Sequence, residues 1–220
     1  MHQFLILPVF PAVPWLLVLF GSVGAAIKVL YDLFKNGIKP KEAKSIAIFG
    51  SKGSGKTTLW KQLMGEFKDK DYIPTLGVEH LDEFPIEFNG KRKVIKKSAD
   101  FGGDDKLVHR YGEIIEDKTF IYYLIDLTNL KEFKKETRAR MQAITKVIKE
   151  RGYESGLKLV GTHYEDFQKA TGLSKEDAKE KLVDCIGLKS IKDVNVDDVI
   201  LIAELTDKND IDQIIAQIIA

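Results

Sequence analysis

The sequence predicts an α/β fold in which a mostly parallel six-stranded sheet carries helices on both faces, preceded by one transmembrane helix. Two observations predict the sheet: apolar runs alternate with segments of helical periodicity, and the pair Asn89-Gly90 marks one early hairpin. A third observation predicts the transmembrane helix, because no charged residue occurs from position 4 to position 27. The chain therefore divides into a membrane anchor at 1–35, a tether at 36–44 and a domain at 45–220.

Residues 14–34 are predicted to form the membrane-spanning helix. Proline suits the first turn of a helix, so Pro14 favours a start there. Such a helix would be about 31 Å long, which matches a hydrocarbon core about 30 Å thick, and Lys28 would extend its ammonium group toward the headgroups. Two alternatives stay open: a cleaved signal peptide, which the small pair Ala25-Ala26 favours, and a hairpin insertion without full crossing. The start of the chain lacks the basic segment of a signal peptide, so we favour the anchor.

The charges that flank this helix predict its orientation. No lysine or arginine precedes it, whereas lysines occur within its last turns and after it, at positions 28, 35, 39, 41 and 44. Basic residues favour the cytoplasmic side of a membrane. We therefore expect a single-pass membrane protein whose domain faces the cytoplasm.

Composition narrows the class of protein further. The chain has 220 residues, enough for one α/β domain and an appendage. Its 34 lysines and arginines balance 33 aspartates and glutamates, so we expect no nucleic-acid partner. The one cysteine, Cys185, cannot form an internal disulfide, which fits a reducing compartment.

Six segments are predicted as the strands of the sheet, and helical segments follow most of them. The run at 120–125 is apolar throughout, which is typical of a strand covered on both faces. The predicted strands lie at 45–49, 83–88, 91–97, 120–125, 157–160 and 198–204. The predicted helices lie near 58–64, 106–116, 131–151, 174–185 and beyond 208.

Residues 50–57, Gly-Ser-Lys-Gly-Ser-Gly-Lys-Thr, match the phosphate-binding pattern G-x-x-x-x-G-K-[ST] at every fixed position. The glycines let backbone N–H groups surround a pyrophosphate, and the following helix adds the positive end of its dipole. Lys56 would reach the β- and γ-phosphates, and the Thr57 hydroxyl would ligate Mg²⁺. The motif therefore predicts a P-loop NTPase fold, with nucleotide contacts at Lys52, Gly53, Ser54, Gly55, Lys56, Thr57 and Thr58.

Four further motifs follow this loop in the chain. They are Pro74-Thr75, Asp100-Phe101-Gly102-Gly103, Thr162-His163-Tyr164-Glu165 and Thr206-Asp207-Lys208. In type and order they resemble the switch and base-binding motifs of small GTPases of the Ras superfamily, over about residues 45–220. The Arf/Sar branch is most similar, because residues 73–77 resemble its Ile-Pro-Thr-Ile-Gly and residues 100–106 resemble its Asp-Val-Gly-Gly-Gln-Asp-Lys.

The resemblance implies roles around the phosphates. Thr75, in the first switch, would ligate Mg²⁺ and sense the γ-phosphate, and Asp100 would hold the ion through a water. The Gly103 N–H would bind the γ-phosphate, so that loss of this phosphate frees both switches. The implied metal ligands are Thr57, Thr75 and Asp100, and the implied catalytic residues are Lys56, Thr75 and Asp104.

The resemblance also implies a guanine site. Its carboxylate, at Glu165, would accept hydrogen bonds from guanine N1–H and the exocyclic amine. The Asp207 N–H would approach guanine O6, and Lys208 would brace that loop. The residues implied for the base are Thr162, His163, Glu165, Thr206, Asp207 and Lys208.

Three positions depart from the family pattern. Asp104 stands where a glutamine usually orients the attacking water, so intrinsic hydrolysis is expected to be slow. Lys52 replaces a glycine of Ras proteins, and three interpretations stay open: its side chain folds over the γ-phosphate, blocks an arginine finger supplied by an activator, or faces solvent. Glu165 replaces an aspartate, and Asp166 would take its place if the register moved by one residue.

The expected function is a membrane-anchored small GTPase-like switch that binds GTP and GDP with Mg²⁺. It would hydrolyse GTP slowly and recruit a cytosolic protein partner to the membrane. One alternative is a scaffold that stays loaded with GTP without hydrolysing it, which Asp104 favours. The other alternative is a P-loop ATPase or kinase.

Overall fold

The computed structural model describes residues 43–66, 77–96, 98–103, 105–186 and 196–219. The predicted anchor at 1–35, most of the tether, and the site residues Thr75 and Asp104 lie outside these described residues. Within the described ranges, no helix combines the length and the apolar character that a membrane crossing requires.

The elements follow one another as strands alternating with helices, with an early group of strands. Among the described residues, 3₁₀ segments also occur at Asp105–Glu113 and Leu127–Asn129. The strands are β1 Ser45–Gly50, β2 Val78–Leu81, β3 Phe84–Phe88, β4 Lys91–Ile95, β5 Ser98–Phe101, β6 Thr119–Asp126, β7 Gly156–Thr162 and β8 Ile200–Ile202. The helices are α1 Lys56–Leu63, α2 Leu130–Arg151, α3 Tyr164–Thr171, α4 Lys175–Ile186, α5 Val196–Val199 and α6 Lys208–Ile219.

A four-stranded parallel sheet in the order β1-β6-β7-β8 forms the centre of the domain. Every residue of β1 and β7 is buried, which explains why both segments lack apolar-polar alternation. The odd-numbered residues of β6 from Ile121 to Ile125 join a core cluster with residues of α2 and α4. The even-numbered residues from Phe120 to Leu124 join a second cluster with residues of α1 and α6. The sheet is thus covered by helices on both faces, as expected.

The predicted six-stranded sheet is wrong, because the early strands do not join the parallel sheet. They form two separate antiparallel pairs, β2 with β5 and β3 with β4. Both pairs share one register, since Phe84 faces Ile95 and, beyond an interruption, Leu81 faces Ser98. The four strands are therefore one long interrupted hairpin.

A backbone bridge and a side-chain hydrogen bond link this hairpin to β1. An isolated parallel bridge links Ser45 to Lys96. Next to it, the Ser98 hydroxyl donates a hydrogen bond to the Ile46 carbonyl at 3.0 Å. β5 therefore lies beside β1 without a continuous ladder between the two strands. The turn of the hairpin was predicted correctly: Asn89 and Gly90 have φ of 49° and 75°, as a two-residue turn requires.

Candidate functional site

The predicted phosphate loop connects β1 to α1. Gly53 and Gly55 have φ of 78° and 89°, a backbone region in which residues with a side chain are strained. Gly50 has φ of 152°, and a Cβ there would lie 2.5 Å from the Leu124 carbonyl oxygen. The loop conformation therefore depends on the two glycines that the motif requires, Gly50 and Gly55, and on Gly53 between them.

Lys56, the first residue of α1, folds back across this loop. Its side chain is 6% exposed, and its Nζ donates a hydrogen bond to the Ser51 carbonyl oxygen at 2.6 Å. The same oxygen accepts hydrogen bonds from the Ser54 hydroxyl at 2.9 Å and the Ser54 N–H at 3.3 Å. These contacts hold a positive charge in the turn, beside the positive end of the α1 dipole, and so favour an anion there.

Thr57 and Asp100, two of the three predicted metal ligands, are in direct contact. The Thr57 hydroxyl donates a hydrogen bond to Asp100 Oδ2 at 2.6 Å, and Asp100 is 3% exposed at the end of β5. A hydroxyl and a carboxylate fit Mg²⁺, which usually combines one or two protein oxygens with phosphate oxygens and water. Across the described ranges, no group of three or more His, Cys, Asp or Glu side chains could hold a metal by itself.

Gly103, at the end of the second-switch motif, lies against the phosphate loop. A Cβ at this position would come within 2.2 Å of the Lys52 backbone nitrogen and 2.3 Å of its Cα. Only glycine permits this approach. The side chain of Lys52 is exposed.

Thr162 and His163 contact the phosphate loop from the end of β7. The buried Thr162 hydroxyl lies 3.0 Å from the Ser54 carbonyl and 3.3 Å from the Ile125 carbonyl. His163 has φ of 57°, and its Nε2 lies 2.8 Å from the Gly53 carbonyl oxygen. A carbonyl accepts only, so Nε2 carries the proton in this contact. Both side chains therefore brace the phosphate loop.

Glu165 and Asp166, the alternative base-binding carboxylates, lie in the first turn of α3. This helix is not among those predicted from the sequence. Both side chains are exposed, and both lie near Lys169, at 3.5 Å for Glu165 and 3.8 Å for Asp166. Neither carboxylate is buried in a preformed base pocket.

Glu204, directly after β8, joins the two predicted base loops and was missed from the sequence. Its Oε2 accepts a hydrogen bond from the Glu165 N–H at 3.2 Å. Its Oε1 accepts one from the Thr206 hydroxyl at 3.1 Å and a longer one from the Thr206 N–H at 3.5 Å. Its position could have indicated this role, because Glu204 is an acidic residue at the carboxyl end of a predicted strand, just before the Thr206-Asp207-Lys208 motif.

Asp207 has contacts that differ from the expected role. Its N–H, expected to approach guanine O6, donates a hydrogen bond to the Glu204 carbonyl at 3.0 Å. Its carboxylate accepts from the N–H groups of Asn209 at 2.8 Å and Asp210 at 3.1 Å, and so caps α6. Lys208 is exposed as the first residue of that helix.

Arg140, on α2, is a second residue that the sequence reasoning missed. It is 1% exposed, and its guanidinium donates hydrogen bonds to the Gly50 carbonyl at 3.2 Å, the Gly103 carbonyl at 2.8 Å and the Tyr111 hydroxyl at 3.0 Å. The helical spacing could have indicated its burial, because Arg140 lies three residues after the buried Thr137 and next to the buried Met141.

All these contacts lie at the carboxyl ends of the parallel strands. Gly50 ends β1, Thr162 ends β7 and Glu204 follows β8. In open α/β sheets ligands bind at this edge. Comparison with protein-family models and with curated proteins finds no match. The function is therefore inferred from the residues and their geometry.

Proposed function

We propose that this protein is a membrane-anchored, small GTPase-like switch that binds GTP and GDP with Mg²⁺. One observation carries the proposal: the glycine loop folds Lys56 across itself, with Nζ 2.6 Å from the Ser51 carbonyl. A loop of this form, at the start of a helix and the end of a parallel strand, suits a chain of phosphates.

Lys56 can bind phosphate without giving up its present contact. An ammonium group has three donors, so one can stay on the Ser51 carbonyl while the others face the β- and γ-phosphates. Thr57 and Asp100 would hold Mg²⁺, with Thr75 as the third ligand that the sequence suggests. The ion would neutralise phosphate charge. The Gly103 N–H would meet the γ-phosphate, because Gly103 already lies against the loop.

Guanine is the proposed base. Glu165 carries this part of the proposal, since an acceptor carboxylate pairs with the N1–H and amine of guanine, which adenine lacks. Glu204 supports it, because its carboxylate fixes the Glu165 backbone and Thr206 relative to each other. On binding, the Glu165 side chain would exchange its exposed ion pair with Lys169 for the base.

The proposed protein hydrolyses GTP slowly without an activator. In its GTP-bound state it recruits a cytosolic protein to the membrane. An aspartate at 104 is shorter than glutamine and adds negative charge near the phosphates. The same residue supports a second candidate function, a scaffold that stays loaded with GTP.

A titration tests nucleotide binding and specificity. The full-length protein, in detergent, is titrated with GTP, GDP and ATP in Mg²⁺ and again in EDTA. We expect GTP and GDP to bind more tightly than ATP, and Mg²⁺ to strengthen the binding of GTP. Equal affinity for ATP and GTP would contradict the guanine site, and no binding of any nucleotide would contradict the proposal as a whole. Single-turnover hydrolysis then separates the slow enzyme from the scaffold.

The membrane anchor is tested separately. We expect the protein to stay with membranes after an alkaline carbonate wash, and the domain to resist protease added to intact cells. Two arginines inserted near Val18 should release the protein, because each costs about 2.5–3.5 kcal/mol at mid-bilayer. Release of the unaltered protein by carbonate alone would rule out a spanning helix.

A further inference from the structure

Arg140 places a buried positive charge between two loops that the nucleotide would hold together. Its side chain is 1% exposed, so the guanidinium has lost nearly all contact with water. Burial of a charge is unfavourable unless its hydrogen bonds are replaced. The two terminal nitrogens donate to three oxygens here, the carbonyls of Gly50 and Gly103 and the hydroxyl of Tyr111.

The two carbonyls belong to different parts of the site. Gly50 is the first residue of the phosphate loop, and Gly103 ends the second-switch motif. NH1 donates to Gly50 and NH2 donates to Gly103, so one planar group spans the gap between them. A guanidinium fixes the spacing and orientation of two acceptors more firmly than a point charge does.

The contact surface between the loops shows why this spacing matters. Gly103 lies so close to Lys52 that even a Cβ would overlap the Lys52 backbone nitrogen, at 2.2 Å. The Arg140 contact to the Gly103 carbonyl, at 2.8 Å, holds the glycine in that position. A γ-phosphate bound in the loop would then find the Gly103 N–H already nearby, without ordering the segment first.

We propose that Arg140 is a positioning residue that holds Gly103 at the phosphate loop and thereby favours binding of the triphosphate over the diphosphate. This inference rests on the proposed nucleotide site. Arg140 acts through Gly103, and its effect is greatest for the ligand that has a γ-phosphate. Because Arg140 lies on α2, a nucleotide-dependent movement of Gly103 would be transmitted to that helix.

The test compares the affinities for GTP and GDP in four full-length proteins: the unaltered chain, Arg140→Met, Arg140→Lys and the control Thr145→Val. Thr145 is buried on the same helix, and its hydroxyl contacts the Met141 carbonyl of that helix, so the control alters α2 away from the loops. Melting temperatures are measured alongside the dissociation constants. This second measurement separates loss of stability from loss of discrimination.

We expect Arg140→Met to weaken GTP binding roughly tenfold, the scale of one hydrogen bond to a charged group, and to change GDP binding much less. Arg140→Lys should reduce the preference for GTP over GDP roughly threefold, because an ammonium group cannot span both carbonyls. If the methionine variant does not fold, the lysine variant decides the question alone. Thr145→Val should lower the melting temperature without changing the ratio of the two affinities.

The outcomes separate this inference from the proposed function. An unaltered chain that binds neither nucleotide overturns both. An unaltered chain that binds both, with Arg140 variants that keep its ratio of affinities, overturns the role of Arg140 alone. A preference for GTP that increases in the variants also overturns it, because Arg140 would then hold the diphosphate form.

Discussion

The two sides of the candidate site differ in how far they are already assembled. On the phosphate side, Lys56 contacts the loop carbonyl of Ser51 at 2.6 Å, and Thr57 contacts Asp100 at the same distance. On the base side, the Glu165 carboxylate is exposed beside Lys169. The phosphate side already has its side chains in contact with one another, whereas on the base side the Glu165 side chain would have to rotate to reach a base.

The difference follows from what each ligand part requires. Phosphates are bound by backbone groups, one helix end and a lysine, all within one continuous segment. A base is recognised by side chains from two loops, here after β7 and after β8, whose separation depends on the whole sheet. Glu204 connects the two loops, because its carboxylate accepts hydrogen bonds from the Glu165 N–H and the Thr206 hydroxyl.

Replacing Lys56 should give the largest effect and would test the phosphate side directly. Lys56→Ala removes the buried ammonium group from the loop, and we expect a loss of about 3 kcal/mol in nucleotide binding, more than a hundredfold in affinity. The control is Lys61→Ala, which removes a lysine from the last turn of α1, away from the loop. Calorimetric titration measures both variants. Near-normal affinity in Lys56→Ala would show that the loop is a structural turn.

The same division appears in what the sequence could predict. The glycine loop between β1 and α1 was predicted at the right place, because its glycines, lysine and threonine occupy one segment whose conformation is local. The covered strands and the Asn89-Gly90 turn were found for the same reason. The six-stranded sheet was wrong because periodicity indicates a strand but not its neighbour, and the register of the hairpin pairs β2 with β5.

Arg140 and Glu204 were missed for a related physical reason. Each gains its role from partners far away in sequence: Arg140 from Gly50 and Gly103, and Glu204 from Glu165. A charged residue on a helix or at a strand end is usually solvated, so composition gives no signal for either. Thr162 and His163 were predicted as base-binding residues, and their contacts to the phosphate loop were not foreseen.

The next largest effect should identify the carboxylate that binds the base. Glu165→Gln replaces an acceptor with a donor opposite guanine N1–H and the amine, so we expect the preference for GTP over ATP to fall by roughly 2 kcal/mol. Asp166→Asn is the matched control, because its side chain is equally exposed and also lies near Lys169. Competition of ATP against labelled GDP measures both. A loss confined to Asp166→Asn would place the base contact one residue later.

Glu204→Gln should then separate the two sides of the site. The change replaces the carboxylate that accepts hydrogen bonds from the Glu165 N–H and the Thr206 hydroxyl with a neutral amide. We therefore expect GTP binding to be weaker by about 1.5 kcal/mol. Inorganic triphosphate, which has no base, should bind as before. Asp197→Asn, which removes an exposed acid paired with Lys179, is the control for net charge. Equal losses for GTP and inorganic triphosphate would show that the two sides are not independent.

The smallest expected effect concerns hydrolysis at Asp104, which lies outside the described residues. Asp104→Gln should speed single-turnover hydrolysis about tenfold, or about 1.4 kcal/mol of barrier, because an amide orients water without adding negative charge near the phosphates. Lys52, whose side chain is exposed on the phosphate loop, sharpens the test. If Lys52 compensates for Asp104, then Lys52→Gly should slow the unaltered chain but matter less in the glutamine variant, so all four proteins of the cycle are measured. A fall in rate on introducing glutamine would mean that the Asp104 carboxylate itself serves as the base, and the phosphate side would then hold a catalytic group that the family pattern does not contain.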